Sequence, residues 1–519
     1  MTNLPPMTNT GFFRWLWRQL TSMKTALVLL FLLALASVPG SVYPQRGVDP
    51  IKVRNFITNS PTWGPILDRL GFFEVYSSPW FSAVYLLLFV SLIGCVIPRV
   101  GVHYRAMRSA PPPVPRILER FAGTRENIAT ASTEEVLSEV TETLRKAKWR
   151  VVAGPVESPT WVAAEKGYLR ETGNLVFHLS LLFVLAAIAI GGLFGWKGNV
   201  IVREGSGFSN TVTQYDAWGG GRYTDAQALP PFSFTLDKFT VDFERGVAQR
   251  GAPRAFEAEM SYKVDPTAPI EHRLVEVNEP LVVSGAKVFL VGHGYAPLIK
   301  VTDETGKAVF EDAVPFLPQD GNGTATGVVK IPDSTPQLGI QALFLPTAAL
   351  DEVLGPHSTF PGPDDPAVFM SAWKGDLGLN TGKPQSVYRL VTDNMTKIGL
   401  EQLKPGQSWT LPDGSGTVAF LGYKRWASFQ IAYDPGKEIA LIFAALAIIG
   451  LTMSLFIRRR RVWVKVVERD GVTVIQVAGI MRASTLEDKD IGALSEDLDL
   501  VEQALQAAGV ARGITEEER

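Results

Sequence analysis

The chain has 519 residues, a formal net charge of −2 and a mean hydropathy of +0.11, so a polar mass must balance its apolar runs. That charge argues against nucleic acid as a partner. The single cysteine, Cys95, excludes an internal disulfide, a Cys-x-x-Cys thiol pair and the Cys-x-x-Cys-His signature of a c-type cytochrome.

Residues 1–24 read as a cytoplasmic N-terminus, polar at first and then aromatic and basic, with Arg14, Arg18 and Lys24. Trp15 and Trp17 suit a membrane interface. Residues 25–43 form the first predicted span. Its basic start and the ALAS sequence resemble a cleaved signal peptide, but a retained helix gives the later spans a consistent topology. Residues 44–79 are an extracytoplasmic loop rich in Pro and aromatics, with a short amphipathic helix expected near 66–72. Residues 80–97 form the second span, expected to end at Pro98. Its flank, with Arg99, His103, Arg105 and Arg108, is basic and therefore cytoplasmic. His103 is expected on the lipid-facing surface, and Cys95 as a small buried apolar residue.

Residues 98–172 read as a small cytoplasmic α-β-β segment. The Ser132-x-x-Glu135 capping box predicts a helix running to about Lys148, followed by strands at 149–153 and 161–165. Residues 173–195 are the third span, free of Asp, Glu, Lys and Arg but carrying His178 about a turn inside. An ionisable group in a membrane helix costs free energy and marks a candidate functional site. Leu182, Leu185, Ala189 and Gly192 continue its stripe, which becomes small enough for a helix or a flat ligand to approach. Chemistry alone leaves two readings open for His178: a ligand, or a side chain bonding a neighbouring helix or snorkelling to the interface.

Residues 196–437 contain no membrane-length apolar run. Alternating segments at 232–236, 238–243, 255–264, 281–291, 385–391 and 417–423 predict a β-rich, sandwich-like extracytoplasmic domain. His293, in Gly-His-Gly-Tyr, is expected in a tight turn. Residues 378–383 have the wrong glycine spacing for a P-loop, so no nucleotide site is evident. Residues 438–457 form the fourth span, stopped in the cytoplasm by Arg458, Arg459, Arg460 and Arg461. Residues 458–519 read as a cytoplasmic C-terminal tail, helix-capable near 494–505 and disordered at its end. The fold class is thus an integral membrane protein: four transmembrane helices, a large extracytoplasmic β-rich domain and a small cytoplasmic α/β segment.

Several stretches taken together are specific: SMKTALVLLFLLALASVPGSVYPQ at span one, GNLVFHLSLL at span three, VNEPLVVSGAKVFLVGHGYAP and GLNTGKPQSVYRL between spans, and DPGKEIALIFAALAIIGLTMSLFIRRRRVWV at span four. In content and order they resemble the ResB (Ccs1) family of System II cytochrome c biogenesis proteins. The resemblance implies a subunit of the bacterial plasma membrane, with both termini cytoplasmic. It implies a ResC (CcsA)-like membrane partner, and haem b carried transiently across the bilayer to apocytochrome c. The partner's tryptophan-rich motif is absent here, so the chain resembles the ResB half alone. In this family the external haem-ligand histidines belong to the partner, so that role is not given to His272, His293 or His357. The residue that carries over is His178, as one axial ligand of haem iron, with the second ligand from the partner. No catalytic residue is implied, and the chain would be a non-catalytic or co-catalytic subunit of a haem lyase. Trp63, Phe72, Phe73 and Trp80 would either line a haem exit or anchor the loop at the interface. A cofactor-free scaffold that displays a β-rich docking domain is the competing reading.

Overall fold

The computed structural model describes residues 9–48, 50–121, 123–155, 160–379, 389–469, 471–481 and 488–513. The chain divides into two compact units, Met1–Ala189 with Gly436–Arg519, and Ile190–Pro435. Its helices, in order, are α1 (Asn9–Leu20), α2 (Met23–Val42), α3 (Pro50–Asn59), α4 (Trp63–Arg69), α5 (Pro79–Arg108), α6 (Thr133–Lys146), α7 (Leu169–Phe194), α8 (Lys437–Phe456) and α9 (Asp488–Ala507).

Helices α2, α5, α7 and α8 are long and apolar enough to cross a bilayer, and the protein is a multi-pass membrane protein. Ser22 and Ser78 cap α2 and α5, accepting from the backbone N–H of Thr25 and Phe81. Helix α5 does not stop at Pro98 as expected; it continues to Arg108. A proline removes one backbone donor. The turns beyond it are tied to α7 by His103, whose Nε2 lies 3.0 Å from Thr172 Oγ1.

The membrane unit also contains a six-stranded antiparallel sheet. Its spatial order is Arg150–Ala153, Trp161–Lys166, Arg460–Arg469, Val472–Met481, Arg125–Ala129 and Ala511–Gly513. The side-chain period of two sets its faces. Val162, Ala164, Val462, Val464 and Val466 point to one face, where Val136, Val140 and Leu144 of α6 and Leu498, Val501 and Leu505 of α9 cover them. Ala163, Trp463 and Ala478 point to the other, under Leu118. Trp463 stands between Ala163 and Ala478 in register, two small neighbours that leave room for its indole. The predicted capping box forms: Ser132 accepts from the Glu135 N–H, and Glu135 accepts from the Ser132 N–H. The segments read from sequence as a separate α-β-β segment and a tail are therefore one folded body. The signal for the missed hairpin is the alternation of 460–481 around Asp470-Gly471, a hairpin dipeptide overshadowed by the arginines before it.

The second unit is β-rich. Two 17-residue strands, Ala286–Thr302 and Thr417–Tyr433, pair antiparallel from Lys287↔Ala432 to Thr302↔Thr417. They serve two hydrophobic cores. Val288, Ala427, Phe429 and Ile431 pack with Phe208, Phe234, Leu236 and Met260 in one. Tyr295, Ile299, Val418 and Phe420 pack with Ile340, Phe344, Val368 and Met370 in the other. Most of the strand predicted at 385–391 lies outside the described residues. His293 is not in a tight turn but in the long strand Ala286–Thr302, next to a bulge between Leu290 and Gly292. Gly294 is required there, because a Cβ would meet the Trp426 ring at 2.4 Å.

Candidate functional site

The third span, α7, is built for close contact at its first end. A Cβ on Gly173 would lie 2.7 Å from the Gly450 carbonyl of α8, and a Cβ on Gly450 would lie 2.6 Å from the Phe177 nitrogen. Small residues let membrane helices approach at the backbone. Two turns further on, Phe183 stacks on Phe443 of α8 with ring centroids 4.4 Å apart. On its other side, the Tyr85 hydroxyl of α5 donates to the Leu185 carbonyl.

His178 sits between these contacts, half-buried. Its Nδ1 lies 2.8 Å from the Asn174 carbonyl oxygen one turn earlier. A carbonyl only accepts, so Nδ1 carries a proton, and in the neutral imidazole the lone pair is then on Nε2. Nε2 has no hydrogen-bond partner among the described residues. A neutral imidazole with one nitrogen held by a backbone carbonyl is the arrangement typical of a metal-ligating histidine. The Phe177 ring meets the imidazole edge-on at 5.1 Å. Of the stripe beyond, Gly192 faces open space, with nothing within 4 Å of a Cβ placed there.

A buried ionic cluster positions the start of α7. Glu165 is fully buried; its carboxylate accepts from Arg459 and from the Tyr168 hydroxyl at 2.5 Å, and forms an ion pair with Arg461 at 3.2 Å. Burial alone would raise the Glu165 carboxyl; the Arg459 and Tyr168 hydrogen bonds, with the charges of Arg459 and Arg461, outweigh it and hold the group below the usual carboxylate range. Arg459 also bonds Glu171 in the first turn of α7. The arginine run read as a topology signal thus includes structural ligands of a buried carboxylate.

The remaining histidines are dispersed. His103 was expected to face lipid, but its side chain is 13% exposed and lies between Thr172 and Glu171, because α5 continues past Pro98 and carries it against α7. His293 packs among Phe239, Phe243 and Phe256 with centroids 5.0–6.2 Å away. Burial, aided by the charge of Arg425, pushes its pKa down to about 4. His272 contacts Ser261 on a strand, and His357 contacts the Gly355 carbonyl in a hairpin. Cys95 is only partly buried, and its thiol donates to the Thr21 carbonyl. Phe73 is fully buried against Tyr43 and Phe56, which removes it from any exit lining, whereas Trp63 is 66% exposed. The sequence reading singled out His178 but not Asn174, whose role is played by a backbone carbonyl that any residue supplies.

A family model described as the ResB-like family matches residues 23–489. A protein named cytochrome c biogenesis protein CcsB from Gloeobacter violaceus is 24% identical over 482 residues, which cover 89% of this chain and 86% of that protein. A protein of the same name from Synechococcus sp. strain WH7803 is 25% identical over 454 residues, covering 86% and 89% of the two chains. Four apolar spans, a β-rich unit and a family match that leaves out only the first and last few dozen residues agree: the chain belongs to the ResB family.

Proposed function

We propose that the chain is a haem-handling membrane subunit of a System II cytochrome c synthase, as its relatives named for cytochrome c biogenesis suggest. In this reading His178 is one axial ligand of haem iron within the bilayer. A ResC/CcsA-like membrane protein supplies the other ligand, and haem passes to apocytochrome c on the far side. The observation that carries the reading is the His178 imidazole, bonded through Nδ1 to the Asn174 carbonyl with Nε2 unengaged inside a span. An imidazole anchored in this way suits haem b iron, whose redox state then governs covalent attachment. The chain's own contribution is to hold and orient the imidazole and to let α5, α7 and α8 shield it from water. Thioether formation itself falls to the partner.

The positive-inside rule supports a layout with both termini and the six-stranded sheet in the cytoplasm and residues 196–437 outside it. Arg458, Arg459, Arg460 and Arg461 at the end of the fourth span weigh most in that assignment. The β-rich unit is then the docking surface for partner or apocytochrome.

The test is an absorption spectrum of the chain purified with its ResC-like partner. Wild type is expected to show a Soret band, lost in His178→Ala and restored in His178→Gly by added imidazole. Equal haem content in all three leaves the chain as a cofactor-free scaffold.

A further inference from the structure

A cavity of about 700 Å³ in the membrane unit lies not at His178 Nε2 but at the arginine-bearing ends of the spans. Val102 and Leu175 form part of an apolar wall, and Arg99, Arg170, Arg459 and Glu171 also line the cavity; Arg459 is already paired with the buried Glu165. Glu171 is already bonded to Arg459. Arg99 has no carboxylate partner among the described residues; its Nη2 lies 2.8 Å from the thioether sulfur of Met23, a weak acceptor. Asn174 and Ser454 also line the cavity, and neither side chain has a hydrogen-bond partner among the described residues. His103 Nδ1 is buried beside them without a hydrogen bond, 3.6 Å from Glu171.

The Arg99 guanidinium without a carboxylate, an amide and a hydroxyl above apolar helix surface call for a ligand with an anionic, hydrogen-bond-accepting head and an apolar body. We propose that this cavity holds the phosphate of an anionic phospholipid, whose acyl chains run down the apolar faces of α5 and α7. Basic pockets between spans are recurrent sites for such headgroups. Guanidinium groups bind phosphate through charge-assisted and often bidentate hydrogen bonds. A choline headgroup brings its own cation against the arginines, so phosphatidylglycerol is preferred to phosphatidylcholine. The site is independent of haem at His178, and its test leaves that assignment untouched.

The experiment is native mass spectrometry of the full chain in detergent, titrated with phosphatidylglycerol or phosphatidylcholine. Wild type is expected to hold one phosphatidylglycerol, about tenfold more tightly than phosphatidylcholine, because the choline cation is repelled where Arg99 holds the phosphate. Arg99→Gln should abolish that preference, Arg99→Lys should keep part of it, and Gly192→Ala, in open space, should leave it unchanged. Circular dichroism checks that each variant is folded. Equal binding of the two lipids, or a preference that survives Arg99→Gln, overturns the proposal. So does displacement of the lipid by equimolar inorganic phosphate, which would make this a free-anion site. Displacement by equimolar haemin in wild type overturns it as well, by assigning the arginines to porphyrin carboxylates.

Discussion

Phe429 and Phe234 meet edge-to-face at 5.4 Å in a dry core of the β-rich unit, whereas Phe31 and Phe456, equally apolar, are 68% and 81% exposed on the spans. Between 6% and 17% of the apolar window of each span is buried within the protein. The solvent accounts for the contrast. In water, each apolar area removed from solvent stabilises the fold, at roughly 25 cal/mol per Å². In lipid the same side chain gains nothing by turning inward, and helices associate through close packing and a few hydrogen bonds. The β-rich unit is therefore held by bulk, and the spans by a small number of specific contacts: Gly173 on Gly450, Tyr85 on Leu185, His103 on Thr172.

The sharpest way to break this comparison is a matched pair of truncations. Phe429→Ala should destabilise the β-rich unit by about 3–5 kcal/mol, the usual cost of emptying an aromatic site in a core. Phe456→Ala should leave thermal unfolding nearly unchanged. Equal losses in circular-dichroism melts would show that the exposed face of α8 is covered by protein.

Glu165→Gln tests the ionic cluster at the water-facing end of the spans. Removing one partner of a buried ion pair costs roughly 3 kcal/mol, because Arg459 and Arg461 keep their charges. The folded-state pKa of Glu165 is depressed, so its stabilisation is present above the unfolded carboxylate value, about 4.3, and is lost as pH falls through the lower folded value. Hydrogen exchange of strand Arg460–Arg469, corrected for the intrinsic rate, should therefore accelerate in acid in wild type and show little pH dependence in Glu165→Gln. Acid acceleration of equal size in both would assign the effect to other carboxylates.

The smallest expected effect is in the helix crossing. Gly450→Leu forces backbone atoms apart where a Cβ already meets Phe177 at 2.6 Å, and should cost about 1–3 kcal/mol. Gly192→Leu, with open space around it, should cost almost nothing. Cysteine cross-linking between α7 and α8 reads the difference, and equal yields in both variants would mean that the crossing does not depend on glycine.

The sequence by itself determined the features whose cause is local. Four apolar runs of membrane length became α2, α5, α7 and α8, the Ser132–Glu135 box started α6, and the alternation at 232–236, 238–243 and 255–264 became the strands Ser233–Phe243 and Pro253–Lys263. His178 stood out because a histidine is costly where every neighbour is apolar. Only the tertiary structure decided which elements pair. A strand's hydrogen bonds go to a partner that its own residues do not specify, so the joining of Trp161–Lys166 to Arg460–Arg469 across nearly 300 residues is invisible in either segment. The same holds for two cores sharing one pair of long strands, for His103 turned onto Thr172, and for the Asn174 carbonyl that orients His178. The strand pairings and the Asn174 carbonyl depend on main-chain groups that every residue carries, and the cores and the His103 contact on which elements meet; composition holds no record of either.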